Sequence, residues 1–163
     1  MSPLLRAREV VEDRWQRVGS DEAVGPGADV LVPLVRWQKE RDALLARPGR
    51  VGVLLGPADD PAAVAADVDR LDLIAVDFPH FTDGRGYSTA RLLRERYGYH
   101  GELRAVGDVL RDQVFYLKRV GFDTFALRAD QDPEDAKKAL DDFSEAYQTS
   151  VDRPQPLFRR RVA

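Results

Sequence analysis

The sequence predicts an α/β protein: a single domain of about five parallel strands with helical crossovers. Two observations carry this. From Ala28 onward, short β-branched runs alternate with segments of helical period, the pattern of βα units. The chain of 163 residues is also long enough to bury roughly 70% of the surface its unfolded form exposes, so one core suffices.

The first unit is "ADVLVPL" followed by "VRWQKERDALLARPG", in which Trp37, Arg41, Leu44 and Leu45 recur at helical spacing and Pro48-Gly49 ends the helix. "RVGVLLGP" leads into "DDPAAVAADVDRL", where Asp60 suits an N-cap, Pro61 the first helical position, and Val64, Val68 and Leu71 an apolar stripe. The third unit joins "LDLIAVDFP" to a helix with Ala90, Leu93 and Tyr97 inward and Gly98 at its end. "GELRAVGD" and "VLRDQVFYLKRVG" make the fourth, with Leu110, Val114 and Leu117 inward. "FDTFALRAD" and "DPEDAKKALDDFSEAYQ" make the fifth, and Asp132-Pro133 repeats the helix-start signal of Asp60-Pro61.

Five such units suit a flavodoxin-like open sheet, with a half (β/α) barrel, open or completed by a homodimer, as the alternative. The flanks stand apart from this α/β domain of residues 28–150. Residues 1–27 form a short β-rich segment and a Gly/Pro loop, in which "EVVEDRWQRV" suits a short antiparallel pair. Residues 151–163 form an extended Pro/Arg tail.

Composition excludes several chemistries. With no cysteine, the chain has no thiol nucleophile, thiolate zinc site or iron–sulfur cluster of its own, and with two histidines no metal site is expected. A net charge of −3 argues against general nucleic-acid binding, and no apolar run approaches a membrane span. The opening "MSPLLRAREVVEDRW" is charged too early for a secretory leader, so a cytoplasmic protein is expected.

In both architectures ligands bind at the carboxyl ends of the strands. The loop after the third strand is the richest there: "DFPHFTDGRGYS" holds an imidazole, two carboxylates, a guanidinium, two aliphatic hydroxyls and two glycines. Gly84 and Gly86 permit positive φ and close backbone approach, and Arg85 lies between them at a helix start. With Thr82 and Ser88 they suit a sulfite, sulfate, phosphate or carboxylate group, and the structural alternative is a turn at Asp83-Gly84 capped by Ser88 or Thr82. Neither the dinucleotide fingerprint nor the P-loop is present. His80 and Asp83 are the acid/base candidates. Asp108 and Arg128 follow the fourth and fifth strands and are candidate ligand contacts; Asp108 also suits an N-cap. Arg104 lies inside a strand and requires a partner or a sheet edge. "RERYGYH" reads as a solvated helix face.

The blocks "FTDGRGYS" and "GELRAVGDVLRDQ", with "DDFSEAYQ" and "PLFRRR" further on, closely resemble the bacterial family grouped as domain of unknown function 934. The resemblance covers about Leu31 to Arg161. Members are labelled as oxidoreductases of sulfite reduction, which implies a place beside the sulfite or nitrite reductase hemoprotein. No catalytic residues transfer with it. The residues themselves show no evident cofactor, although a flavin phosphate at a helix start is compatible with a flavodoxin-like sheet. They fit better an accessory protein that docks on the reductase through Pro156, Leu157, Phe158, Arg159 and Arg160, with a small anion at the 78–88 loop; an anion-sensing module is a further alternative.

Overall fold

The computed structural model describes residues 2–140, and the tail residues 156–160 lie outside that range. All eight strands belong to one sheet: β1 (Pro3–Arg6), β2 (Glu9–Glu12), β3 (Gln16–Arg17), β4 (Val30–Pro33), β5 (Val51–Leu55), β6 (Leu73–Phe78), β7 (Glu102–Gly107) and β8 (Thr124–Phe125). Their order is β2-β1-β8-β7-β6-β5-β4-β3. From β3 to β8 every neighbouring pair is parallel, while β1 pairs antiparallel with both β8 and β2.

The five strands expected from the sequence are β4 to β8. Their order corrects the flavodoxin-like expectation. A doubly wound sheet reverses direction at a switch point and carries helices on both faces. Here the strands follow one another in sequence, as right-handed crossovers do when all pack on one side. The result is a half-barrel.

One connection shows how strongly the sheet curls. β2 and β3 are its two edges, yet only Asp13–Trp15 separates them in the chain. A flat eight-stranded sheet would hold those edges about 34 Å apart. A link of this length spans at most about 14 Å. The sheet must therefore bend until its edges approach one another.

Strand alternation then divides the core in two. Outward residues such as Val30, Val53, Ile74, Val76, Leu103, Ala105 and Phe125 meet the helices α1 (Leu34–Ala46), α2 (Arg85–Arg91), α3 (Val114–Arg119) and α4 (Pro133–Ala139) through Trp37, Ala90, Leu93, Val114, Leu117 and Ala136. Inward residues Leu31, Leu54, Leu73, Ala75 and Val106 form a second, smaller cluster with Trp15 against it. Among the described residues no helix packs on this inner cluster, yet it is buried. Curvature and the Trp15 indole do the covering.

The expected helix starts appear where the cap chemistry put them. Asp60 accepts a hydrogen bond from Ala62 N at 2.9 Å, and Asp132 from Glu134 N at 3.0 Å. The crossover after Asp60 is a 3₁₀ helix, Pro61–Asp67, whose buried Asp67 takes the Arg41 guanidinium of α1. After α2 the chain widens into a π turn, Leu92–Arg96, that ends at Gly98 with φ +66°. Within it Arg94 is no solvated residue: it donates to the carbonyls of Tyr99, Gly101 and Gly121 and pairs with Asp123 at 3.3 Å.

Arg104 is the charged residue of β7 buried among the inward apolar groups, at 2% exposure. Its Nη2 reaches Glu102 at 2.7 Å and its Nη1 reaches Asp13 at 3.0 Å. Asp13 Oδ1 accepts the Trp15 backbone N–H as well, so one ion-pair network fixes the link that closes the sheet. Removing one partner of such a buried pair leaves uncompensated charge. Arg104→Ala is expected to lower stability by about 3–5 kcal/mol, read as a fall in the urea midpoint. Asp13→Asn should cost less, because its side chain is 25% exposed.

Candidate functional site

At the carboxyl ends of β6, β7 and β8 three loops are tied into one rim. The turn after β7 starts it. Gly107 has φ +96°, and a Cβ there would lie 2.4 Å from the Phe78 carbonyl oxygen and 2.6 Å from Asp77 Oδ1. Only glycine fits. The turn brings Asp108 N to the Phe78 carbonyl at 2.7 Å.

The Asp108 carboxylate then joins all three loops. Oδ2 accepts the Phe81 N–H at 2.9 Å, and Oδ1 accepts Arg128 Nη1 at 2.9 Å. These bonds correct the N-cap expectation for Asp108. The Leu110 N–H is satisfied instead by Gln113 Oε1 at 3.0 Å, while Gln113 Nε2 donates to the Phe81 carbonyl at 2.7 Å. Phe81 is thus held by both its backbone groups. Its ring is nevertheless 51% exposed.

Arg128 completes the rim by pairing with Asp130 through Nε at 2.6 Å and Nη2 at 2.7 Å. Gln131 Oε1 accepts the Arg111 N–H at 2.9 Å, tying the loop after β8 to the segment that follows Asp108.

The "TDGRG" segment forms a turn braced by Asp83 itself, with no side-chain cap from Ser88 or Thr82. Asp83 accepts Arg85 N at 3.1 Å and takes the guanidinium bidentately, Nε at 3.0 Å and Nη2 at 2.7 Å. Neither Gly84 nor Gly86 uses a positive φ. Gly86 is required for a different reason: a Cβ there would lie 2.4 Å from the Phe78 ring, so α2 rests directly on that aromatic. Thr82 and Ser88 are exposed on either side.

The candidate residues His80, Asp83, Asp108 and Arg128 therefore share one rim. Hydrogen bonds from Arg85 hold the Asp83 carboxyl down to about 2. The Phe81 N–H and then Arg128 lower that of Asp108, and Arg128 holds Asp130 near 2. Carboxylates held so firmly ionised are weak proton acceptors at neutral pH. They suit bracing better than proton transfer.

Inside the arc below this rim lies a cavity of about 350 Å³, lined by Trp15, Arg17, Leu31, Val106, Gly107 and Arg128 among others. Sequence reasoning missed it, since Trp15 and Arg17 come from the N-terminal segment. The signal was present in the two-residue alternation of "EDRWQR", which puts Trp15 and Arg17 on one face. Among the described residues no group of three or more His, Asp or Glu side chains is arranged to hold a metal, and no helix is long and apolar enough to cross a membrane.

A family model described as "Bacterial protein of unknown function (DUF934)" matches residues 52–158. The chain belongs to this family. A search of curated proteins finds no match to it. The span that defines DUF934 here holds the whole rim, from Phe78 to Gln131, while the hairpin β1–β2, Trp15 and α1 precede it.

Two expectations follow. Gly107→Ala should destabilise by about 1–3 kcal/mol and Gly84→Ala, with open space around it, by far less, as read from thermal melts. Because the folded Asp83 carboxyl is depressed, the Asp83–Arg85 pair is fully formed above the ordinary carboxylate range near 4 and is lost as pH falls through about 2. Carboxyl-detected NMR titration should place the Asp83 midpoint well below the ordinary carboxylate value near 4; a midpoint at that value would contradict the pairing.

Proposed function

We propose that this protein is an accessory factor of assimilatory sulfite reduction that docks on the sulfite or nitrite reductase hemoprotein through its carboxyl-end rim. One observation carries the reading: the Phe81 ring stands 51% exposed on a loop whose backbone is clamped from both sides. An exposed aromatic on a rigid mount loses little entropy when a partner covers it, the economy of an interface anchor. The surrounding charges are paired within the rim and ask no partner to neutralise them. The sulfur-assimilation setting comes from the family resemblance in "FTDGRGYS" and "GELRAVGDVLRDQ".

The oxidoreductase alternative with a flavin asks the start of α2 to hold a phosphate. There Asp83 already takes the Arg85 guanidinium, and Gly86 packs beneath Phe78. The docking reading asks nothing of that helix start. A small oxyanion such as sulfite has a place in it as a ligand that opens the Asp83–Arg85 pair; at a hundred times its dissociation constant it would add about 2.7 kcal/mol of stability.

Capture by immobilised reductase hemoprotein tests the proposal. Phe81→Ala is expected to weaken capture at least tenfold, and deletion of residues 154–161 to weaken it further. Capture of both variants at the wild-type level would overturn it. An absorption spectrum of the purified protein with flavin bands would favour the oxidoreductase instead.

A further inference from the structure

We propose that the opposite, amino-terminal mouth of the curled sheet is a binding site for an organic oxyanion, a phosphate or sulfate ester. A cavity of about 510 Å³ opens there, in the size range of small-molecule sites. Its wall carries Arg6, Arg14, Arg50 and Arg104 around Trp15, with Glu12 as the carboxylate among them.

The four arginines divide into two pairs. Arg104 is held by Asp13 and Glu102. Arg50 is held by Asp29 at 2.7 Å, and its guanidinium lies over the Trp15 ring, 4.9 Å from the centroid. Both have structural work that accounts for them. Arg6 and Arg14 do not: their side chains are exposed and make no ion pair or hydrogen bond among the described residues.

Their placement is nonetheless fixed. Arg6 ends β1 and lies opposite Thr124, the first residue of β8. Arg14 sits on the three-residue link that closes the sheet. Curling brings both to one mouth, where Glu12 in the wall and Glu9, opposite Arg6 on β2, are the neighbouring carboxylates, and neither forms an ion pair with Arg6 or Arg14 among the described residues. A guanidinium fork matches the oxygens of phosphate or sulfate in bidentate fashion. Leu4, Val11 and the Trp15 edge line the rest of the cavity, which suits the organic body of an ester better than a bare inorganic ion. Leu4, Trp15 and Arg104 line both this cavity and the one below the carboxyl-end rim, whereas Phe81 lines neither.

Calorimetric titration of the full chain at low ionic strength tests this, with AMP and p-nitrophenyl sulfate as ester probes and inorganic phosphate and adenosine as partial ligands. Both esters should bind saturably and more tightly than either partial ligand. Trp15 emission should change with the same dissociation constant, since Trp37 is only 1% exposed and out of reach. The double variant Arg6→Ala/Arg14→Ala should weaken binding at least tenfold while melting at the wild-type temperature. The charge-matched variant Lys39→Ala/Lys138→Ala should leave binding unchanged. Absence of saturable binding, equal loss in both double variants, or inorganic phosphate binding as tightly as the esters would overturn the proposal.

Discussion

The fold depends on a short piece of chain that must cross a wide gap. Asp13–Trp15 joins the two edge strands of an eight-stranded sheet, and no flat or gently twisted sheet permits that connection. Curling is thus a covalent constraint before it is a packing preference. Once the sheet curls, its inner face packs side chains of neighbouring strands against one another. Gly52 shows how tight it is, since a Cβ there would lie 2.9 Å from Leu73 Cβ. Trp15, delivered by the same link, packs against this inner cluster.

The buried Arg104 follows from that arrangement. A sheet with helices on both faces would have to bury it against apolar side chains without water or counter-charge. On the inner face of an arc it meets Asp13 from the closing link and Glu102 from its own strand. The ion pairs reward only one register of the N-terminal segment, because shifting the link by one residue would point Asp13 away from the arginine. In this way Arg104 specifies where the sheet closes as well as contributing to its stability.

Local chemistry was legible in the sequence, and long-range geometry was not. The five strands β4 to β8 and the caps at Asp60 and Asp132 depend on neighbours a few residues away, so spacing revealed them. Strand order depends on the face on which each crossover packs. The period is the same for both architectures; only Arg104 within "ELRAV" hinted at an inner face. Asp108 was misleading for a related reason. A Gly-Asp pair before an apolar run looks like a helix start, but its carboxylate is taken by Phe81, 27 residues earlier, and by Arg128, 20 residues later. Gly86 is glycine because of the Phe78 ring beneath it, a contact that "DGRG" cannot display.

The two mouths of the arc differ in how their charge is settled, and this bears on what each can recognise. At the carboxyl rim Asp83, Asp108 and Asp130 satisfy Arg85 and Arg128 within the chain, and what remains outward is an aromatic ring. A surface of that kind gains from a partner that covers apolar area and gains little from a free ion. At the amino-terminal mouth the ion pairs among the described residues stop at Arg50 and Arg104, and Arg6 and Arg14 are exposed beside an aromatic wall. Charge left unpaired in a concavity keeps its full value for an incoming anion, whereas charge already paired must first be released. The two ends of the sheet thus differ in kind, a clamped aromatic at one and solvent-facing guanidinium groups at the other, with Trp15 lining the cavities at both.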